Sequence, residues 1–111
     1  MELRVVRVTD RFDDACAFYG DVLGWPATRE WEGGRIYGYG DVGRIELMRG
    51  DPSPVEGVFL SVEVDDVAAT FERVTAAGVD VAEAMSDKPW GHRSFGVIEP
   101  SGVKVVFFQC I

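Results

Sequence analysis

A single histidine, His92, supplies all the imidazole in this 111-residue chain, and its cysteines are only two, Cys16 and Cys110. No Cys-x-x-Cys pair is present, so the thiols read as small buried or peripheral groups, and both are expected to be reduced. Nor is there a nucleophile elbow, a glycine-rich phosphate loop followed by lysine, or a serine at a workable spacing from a histidine and a carboxylate. Long apolar runs are missing too: none approaches the ~18 residues that suggest a membrane span. Met1-Glu2-Leu3-Arg4 leads into a strand pattern rather than a signal peptide, so a cytoplasmic protein with no membrane partner is expected. Basic residues are the scarcer charge, 11 Lys and Arg against 19 Asp and Glu, for a net charge of −8. A phosphate backbone rewards the opposite balance, so no nucleic-acid partner is expected. A cationic small molecule would be better received, although the same charge spread over helix faces also serves solubility.

What the chain does have is one structural phrase used twice. Val8-Thr9-Asp10 runs into an amphipathic segment ending at Gly24, and Val64-Asp65-Asp66 runs into another ending at Gly78. Such self-similarity decides architecture before local propensity does. In the first copy, residues 3–8 are rich in β-branched side chains and read as a strand. Phe12, Cys16, Tyr19 and Leu23 then fall on one helical stripe, with Asp13 and Asp14 in the first turn and Pro26 beyond its end. Strands are expected over 27–32, 35–40 and 44–49, broken by Gly33-Gly34 and by residues 41–43. In the second copy, 57–64 reads as a strand and 66–77 as a helix with Val67, Phe71 and Val74 inward. A short strand begins at 79–81, 83–89 reads as a loop, and 93–98 and 103–109 pair across Glu99-Pro100-Ser101-Gly102. Residues 51–56 make a proline-stiffened linker between modules of about 1–50 and 57–111. The expectation is one α+β domain over 1–111: two paired βαβββ modules forming a curved eight-stranded mixed sheet with helices on the convex face. A ligand would go in the concavity.

Asp10 followed by Phe18-Tyr19-Gly20-Asp21-Val22-Leu23-Gly24 resembles the "D…FY-x-D-x-L-G" opening of the vicinal oxygen chelate superfamily, which includes glyoxalase I, extradiol dioxygenases and bleomycin-resistance proteins. Val62-Glu63-Val64-Asp65-Asp66-Val67 with Ala76-Ala77-Gly78-Val79 is similar to the opening of its second module. Pro89-Trp90-Gly91, Arg93-Ser94-Phe95 and Glu99-Pro100-Ser101-Gly102 resemble the closing segment of its bleomycin-resistance-like branch, with Glu99 where that pattern has aspartate. The resemblance implies the paired-module fold and a homodimer. It also implies a divalent metal held from four strand positions, which carry over to Leu3, Glu46, Phe59 and Val106. Only Glu46 is a ligand-type residue, and one carboxylate among apolar side chains does not replace a divalent ion's hydration shell. No metal and no other cofactor is therefore expected.

Six residues are candidates for binding a ligand: Tyr37, Tyr39, Glu46, Phe59, Trp90 and Arg93. Tyr37 and Tyr39 share one strand face and make an aromatic pair suited to a planar ligand. Glu46 either meets a cationic group or acts as a base with a raised pKa, or it simply pairs with a nearby arginine. Arg93 beside Trp90 either holds an anion or a planar ring, or ties its loop down through an ion pair. His92 reads as a hydrogen-bonded loop residue. Together these point to metal-independent binding of a small amphipathic or aromatic molecule, with antibiotic sequestration as the biological form. The alternative is a metal-dependent lyase, isomerase or dioxygenase using Glu46.

Overall fold

Among the described residues, eight strands and two α-helices follow one another in the order β1 (Leu3–Thr9), α1 (Phe12–Cys16), β2 (Ala27–Trp31), β3 (Gly34–Tyr39), β4 (Gly43–Arg49), β5 (Leu60–Glu63), α2 (Val67–Ala76), β6 (Val81–Asp87), β7 (His92–Ile98) and β8 (Lys104–Cys110). This is a computed structural model that describes residues 1–52, 54 and 56–111. Of the linker expected over 51–56, Ser53 and Val55 lie outside the described residues. The chain divides into two compact units, Met1–Pro54 and Val55–Ile111. Each carries one four-stranded mixed sheet, ordered β1-β4-β3-β2 in the first and β5-β8-β7-β6 in the second. The eight expected strands are all present, and their hydrogen bonding closes into these two sheets of four.

The two sheets have the same topology. The first strand of each unit pairs parallel with the last, β1 with β4 and β5 with β8, and the remaining pairs are antiparallel. A parallel neighbour needs a crossover, and the helix after the first strand supplies it. Asp66 caps α2 as its sequence position implies, its Oδ1 accepting from the Ala69 amide at 3.1 Å. The first helix starts differently: Arg11 occupies the cap position without a side-chain bond to the helix amides, and Thr9 Oγ1 accepts from the Arg11 amide at 3.0 Å. Past Cys16 the helix widens into a π-helical stretch, Ala17–Val22, in which Leu23 N donates to Phe18 O at 2.9 Å. Both helical segments end at glycines with positive φ, 73° at Gly24 and 82° at Gly78, a conformation that other residues adopt only with strain.

Each unit has its core between helix and sheet. In the first, Phe12, Ala15, Phe18 and Tyr19 are buried with Ile45 and Leu47 of β4. In the second, Val67 and Val74 of α2 are buried with Val62, Phe95, Val97, Val105 and Phe107. Phe95 is the hub, edge-on to Phe71 at 5.2 Å and stacked on Phe107 at 5.3 Å.

The region read as a loop over 83–89 is mostly strand. Val81–Asp87 pairs with β7 through register shifts on either side of Glu83. Its sequence lacks β-branched residues after Val81, so propensity alone misses it, and cross-strand pairing supplies the order. The tetrapeptide turn over 99–102 is present despite its glutamate. Glu99 is buried, and its Oε1 accepts from Ser101 Oγ at 2.5 Å and from the Val103 amide at 2.9 Å.

Candidate functional site

Side chains alternate across a strand, so the residues of β8 divide between two faces. Val105 and Phe107 are buried on the α2 side, whereas Lys104, Val106 and Phe108 point the other way. On that open face Ser61 of β5, His92 and Ser94 of β7 and Glu83 of β6 stand beside them. Phe59, Lys88 and Trp90 complete the rim of a cleft of about 360 Å³. A cleft of that size takes one compact organic molecule. All of its lining belongs to the second unit.

The walls are aromatic. The His92 ring stacks on Phe108, centroids 4.2 Å apart and planes 15° from parallel. Trp90 is 68% exposed, so its indole is available surface rather than core, and its Nε1–H donates to His92 Nδ1 at 3.3 Å. That bond leaves the other imidazole nitrogen, Nε2, to carry the proton of the neutral ring. Phe59, also exposed, has the Lys104 ammonium 5.6 Å from its ring centroid.

Polar groups at one end are organised around Glu83. Its Oε1 lies 3.1 Å from Lys88 Nζ and its Oε2 2.9 Å from Lys104 Nζ. The hydrogen bonds from Lys104 and then Lys88 hold the Glu83 carboxyl below its ordinary range. A depressed carboxyl pKa stabilises the fold above the unfolded-state value and loses that contribution as pH falls through the folded-state value. Lys88→Gln combined with Lys104→Gln is therefore expected to raise the Glu83 titration midpoint, followed by carboxyl carbon NMR shifts. An unchanged midpoint would show that the lysines do not set it.

Placement of the six candidate residues is uneven. Phe59 and Trp90 line the cleft. Tyr37 and Tyr39 do share a strand face, but it is the face turned to the helix, which corrects the expectation of an aromatic pair in an open groove. Tyr37 is buried with its hydroxyl donating to the Cys16 carbonyl at 3.2 Å, and burial raises its pKa. Tyr39, 38% exposed at the end of β3, meets Trp25 with ring centroids 4.8 Å apart and planes tilted by 30°. The reason is the segment between Tyr19 and Trp25, whose rings lie over β3 and need aromatic partners. Arg93 alternates with His92 and Ser94 and so leaves the cleft. Its Nε and Nη2 meet the Asp87 carboxylate at 2.6 and 3.1 Å across β6 and β7, an exposed ion pair that lowers the Asp87 pKa.

Glu46 sits on the other face of β4 from the first unit's helix, with Arg4 Nη1 2.9 Å from its Oε1. Glu2 pairs in turn with both Arg4 and Arg44. Arg4 rather than Leu3 shares the face of Glu46, because neighbouring residues of a strand alternate. The four positions carried over from the family pattern, Leu3, Glu46, Phe59 and Val106, thus present one carboxylate, already paired with a guanidinium, and three apolar side chains, and the β1 neighbour on the face of Glu46 is an arginine. That donor set does not fit a divalent ion. Among the described residues no three His, Cys, Asp or Glu side chains group to hold a metal.

The sequence reading missed Lys88, Lys104, Glu83 and Phe108 and placed His92 in a loop. One signal was legible: Val106, carried over as a metal-ligand position of the family, puts Lys104 and Phe108 on its own face by period-2 alternation. The partnership of Glu83 with both lysines had no such signal, since it depends on the irregular register of β6.

Known proteins are consistent with this architecture. TioX from Micromonospora sp. ML1 superposes with a TM-score of 0.83 at 25% identity, covering 100% of this chain and 99% of that one. Lactoylglutathione lyase from Agrobacterium tumefaciens gives 0.79 at 20% identity over 98% and 92% of the two chains. A glyoxalase/bleomycin resistance protein/dioxygenase from Nocardioides gives 0.75 at 18% over 100% and 83%. No curated protein sequence matches the chain. No helix of the described residues is long and apolar enough to cross a membrane. Residues 3–107 match the family model for the glyoxalase/bleomycin resistance protein/dioxygenase superfamily, and the chain belongs to that superfamily.

Proposed function

We propose that this protein binds a small, planar, amphipathic molecule in the cleft of its second unit without a metal ion, and that sequestration of an aromatic compound such as an antibiotic is its biological use. The observation that carries this reading is the set of aromatic side chains on the open sheet face. Phe59, Trp90 and the stacked pair His92 and Phe108 surround about 360 Å³. Aromatic surface left exposed at a concavity stabilises a ligand that covers it, through apolar burial and through stacking geometry. The ion pair of Glu46 with Arg4 supports metal independence, since a cation at Glu46 would have to displace a guanidinium already held at 2.9 Å.

Calorimetric titration with a panel of planar bicyclic and tricyclic compounds tests the reading. Val106→Trp fills the cleft floor from its open face and is expected to abolish binding while leaving the thermal transition in place. Chelator is expected to leave affinity unchanged. Binding that survives Val106→Trp would locate the site elsewhere. Binding or turnover that needs stoichiometric metal would favour a metal-dependent lyase or dioxygenase instead.

A further inference from the structure

We infer that the cleft selects planar aromatic anions, with an aromatic carboxylate as the ligand class, its ring lying against the aromatic wall of Trp90, His92 and Phe108 and its carboxylate meeting the ammonium groups of Lys88 and Lys104. This rests on the reading of the cleft as a small-molecule site and adds the sign of the ligand's charge.

The chain as a whole carries −8, yet the cleft lining holds two lysines and one carboxylate. Both oxygens of that carboxylate are engaged, Oε1 by Lys88 and Oε2 by Lys104. An incoming cation would meet an acid already doubly paired and two ammonium groups that repel it. An incoming anion meets donors. Each ammonium has three N–H groups, and one contact to Glu83 leaves donor capacity on both. His92, with Nδ1 accepting from Trp90, adds an Nε2–H donor. Ser61 and Ser94 add hydroxyls on the same face. Lys104 spans both functions, because its ammonium also lies over the Phe59 ring and so fixes the charged end of the cleft beside an aromatic wall. The acidic exterior then acts as a filter. It repels anions at long range through a field that salt screens, while the cleft binds them at contact range through charge-assisted bonds.

The test compares three ligands of one shape: 2-naphthoate, 2-naphthamide and 2-naphthylmethylammonium, titrated by calorimetry against the full chain. The expected order is carboxylate tightest, amide about tenfold weaker, ammonium weakest. Lys88→Gln combined with Lys104→Gln is expected to bring the carboxylate-to-amide ratio close to one, and the amide binding that remains reports that the cleft is still formed. Glu83→Gln removes the anion that competes for both lysines and is expected to widen the ratio. Amide binding with no preference for the carboxylate, or a ratio unmoved by loss of the two lysines, overturns the inference and leaves the small-molecule site standing. Ammonium binding tightest overturns it as well. If none of the three binds, the site itself falls.

Discussion

Trp90→Ala is expected to weaken the binding of planar ligands about thirtyfold, the loss that follows removal of an aromatic anchor worth about 2 kcal/mol. The indole is 68% exposed and rims the cleft, so little of its surface is committed to the core and most is free to be covered by a ligand. Its second role is to hold His92, whose Nδ1 takes the indole N–H at 3.3 Å. Trp90→Phe separates the two roles. It keeps an aromatic face and removes the donor, and it is expected to retain most of the affinity. Trp31, also exposed but in the first unit, is the control, and Trp31→Ala is expected to leave calorimetric affinity unchanged. Equal losses from Trp31→Ala and Trp90→Ala would place the aromatic contact outside the second unit's cleft.

Phe95→Ala carries the largest expected cost in stability, about 3–5 kcal/mol, from lost apolar burial and the cavity left behind. Phe95 is fully buried at the centre of the second unit's core, touching Phe71 edge-on and stacking on Phe107. Small domains have about 5–15 kcal/mol in all, so this one substitution would consume a large share of it. Urea denaturation would show the midpoint fall with little change in slope. Phe108→Ala, one residue from Phe107 but on the cleft face, is expected to cost far less stability and to weaken ligand binding instead. A Phe108→Ala variant as unstable as Phe95→Ala would mean that the open face is core after all.

The contrast between Phe107 and Phe108 also shows where sequence reasoning reaches its limit. The run Val103-Lys104-Val105-Val106-Phe107-Phe108 carries apolar side chains on both strand faces, and Lys104 alone distinguishes them. Phe107 goes to the core and Phe108 to the cleft because Phe95 and α2 occupy one side only. The same ambiguity misplaced Tyr37 and Tyr39. Their shared face follows from alternation, but its direction is set by Tyr19 and Trp25, which reach β3 from the end of the first helical segment.

Some features were dictated by the chain locally. The duplicated order of strand, helix and glycine stop, the Asp66 cap of α2 and the turn over 99–102 can all be read from residue types and spacing, because caps and turns each depend on a few near neighbours. What only the folded molecule decided is the character of the cleft. Glu83 and Lys88 belong to β6 and its end and Lys104 to β8, and the fold brings both ammonium groups within 3.1 Å of the Glu83 carboxylate. Charge summed along a chain ignores position, whereas a ligand feels the groups within a few ångströms. An acidic sequence can therefore fold around a cleft whose lining is basic on balance.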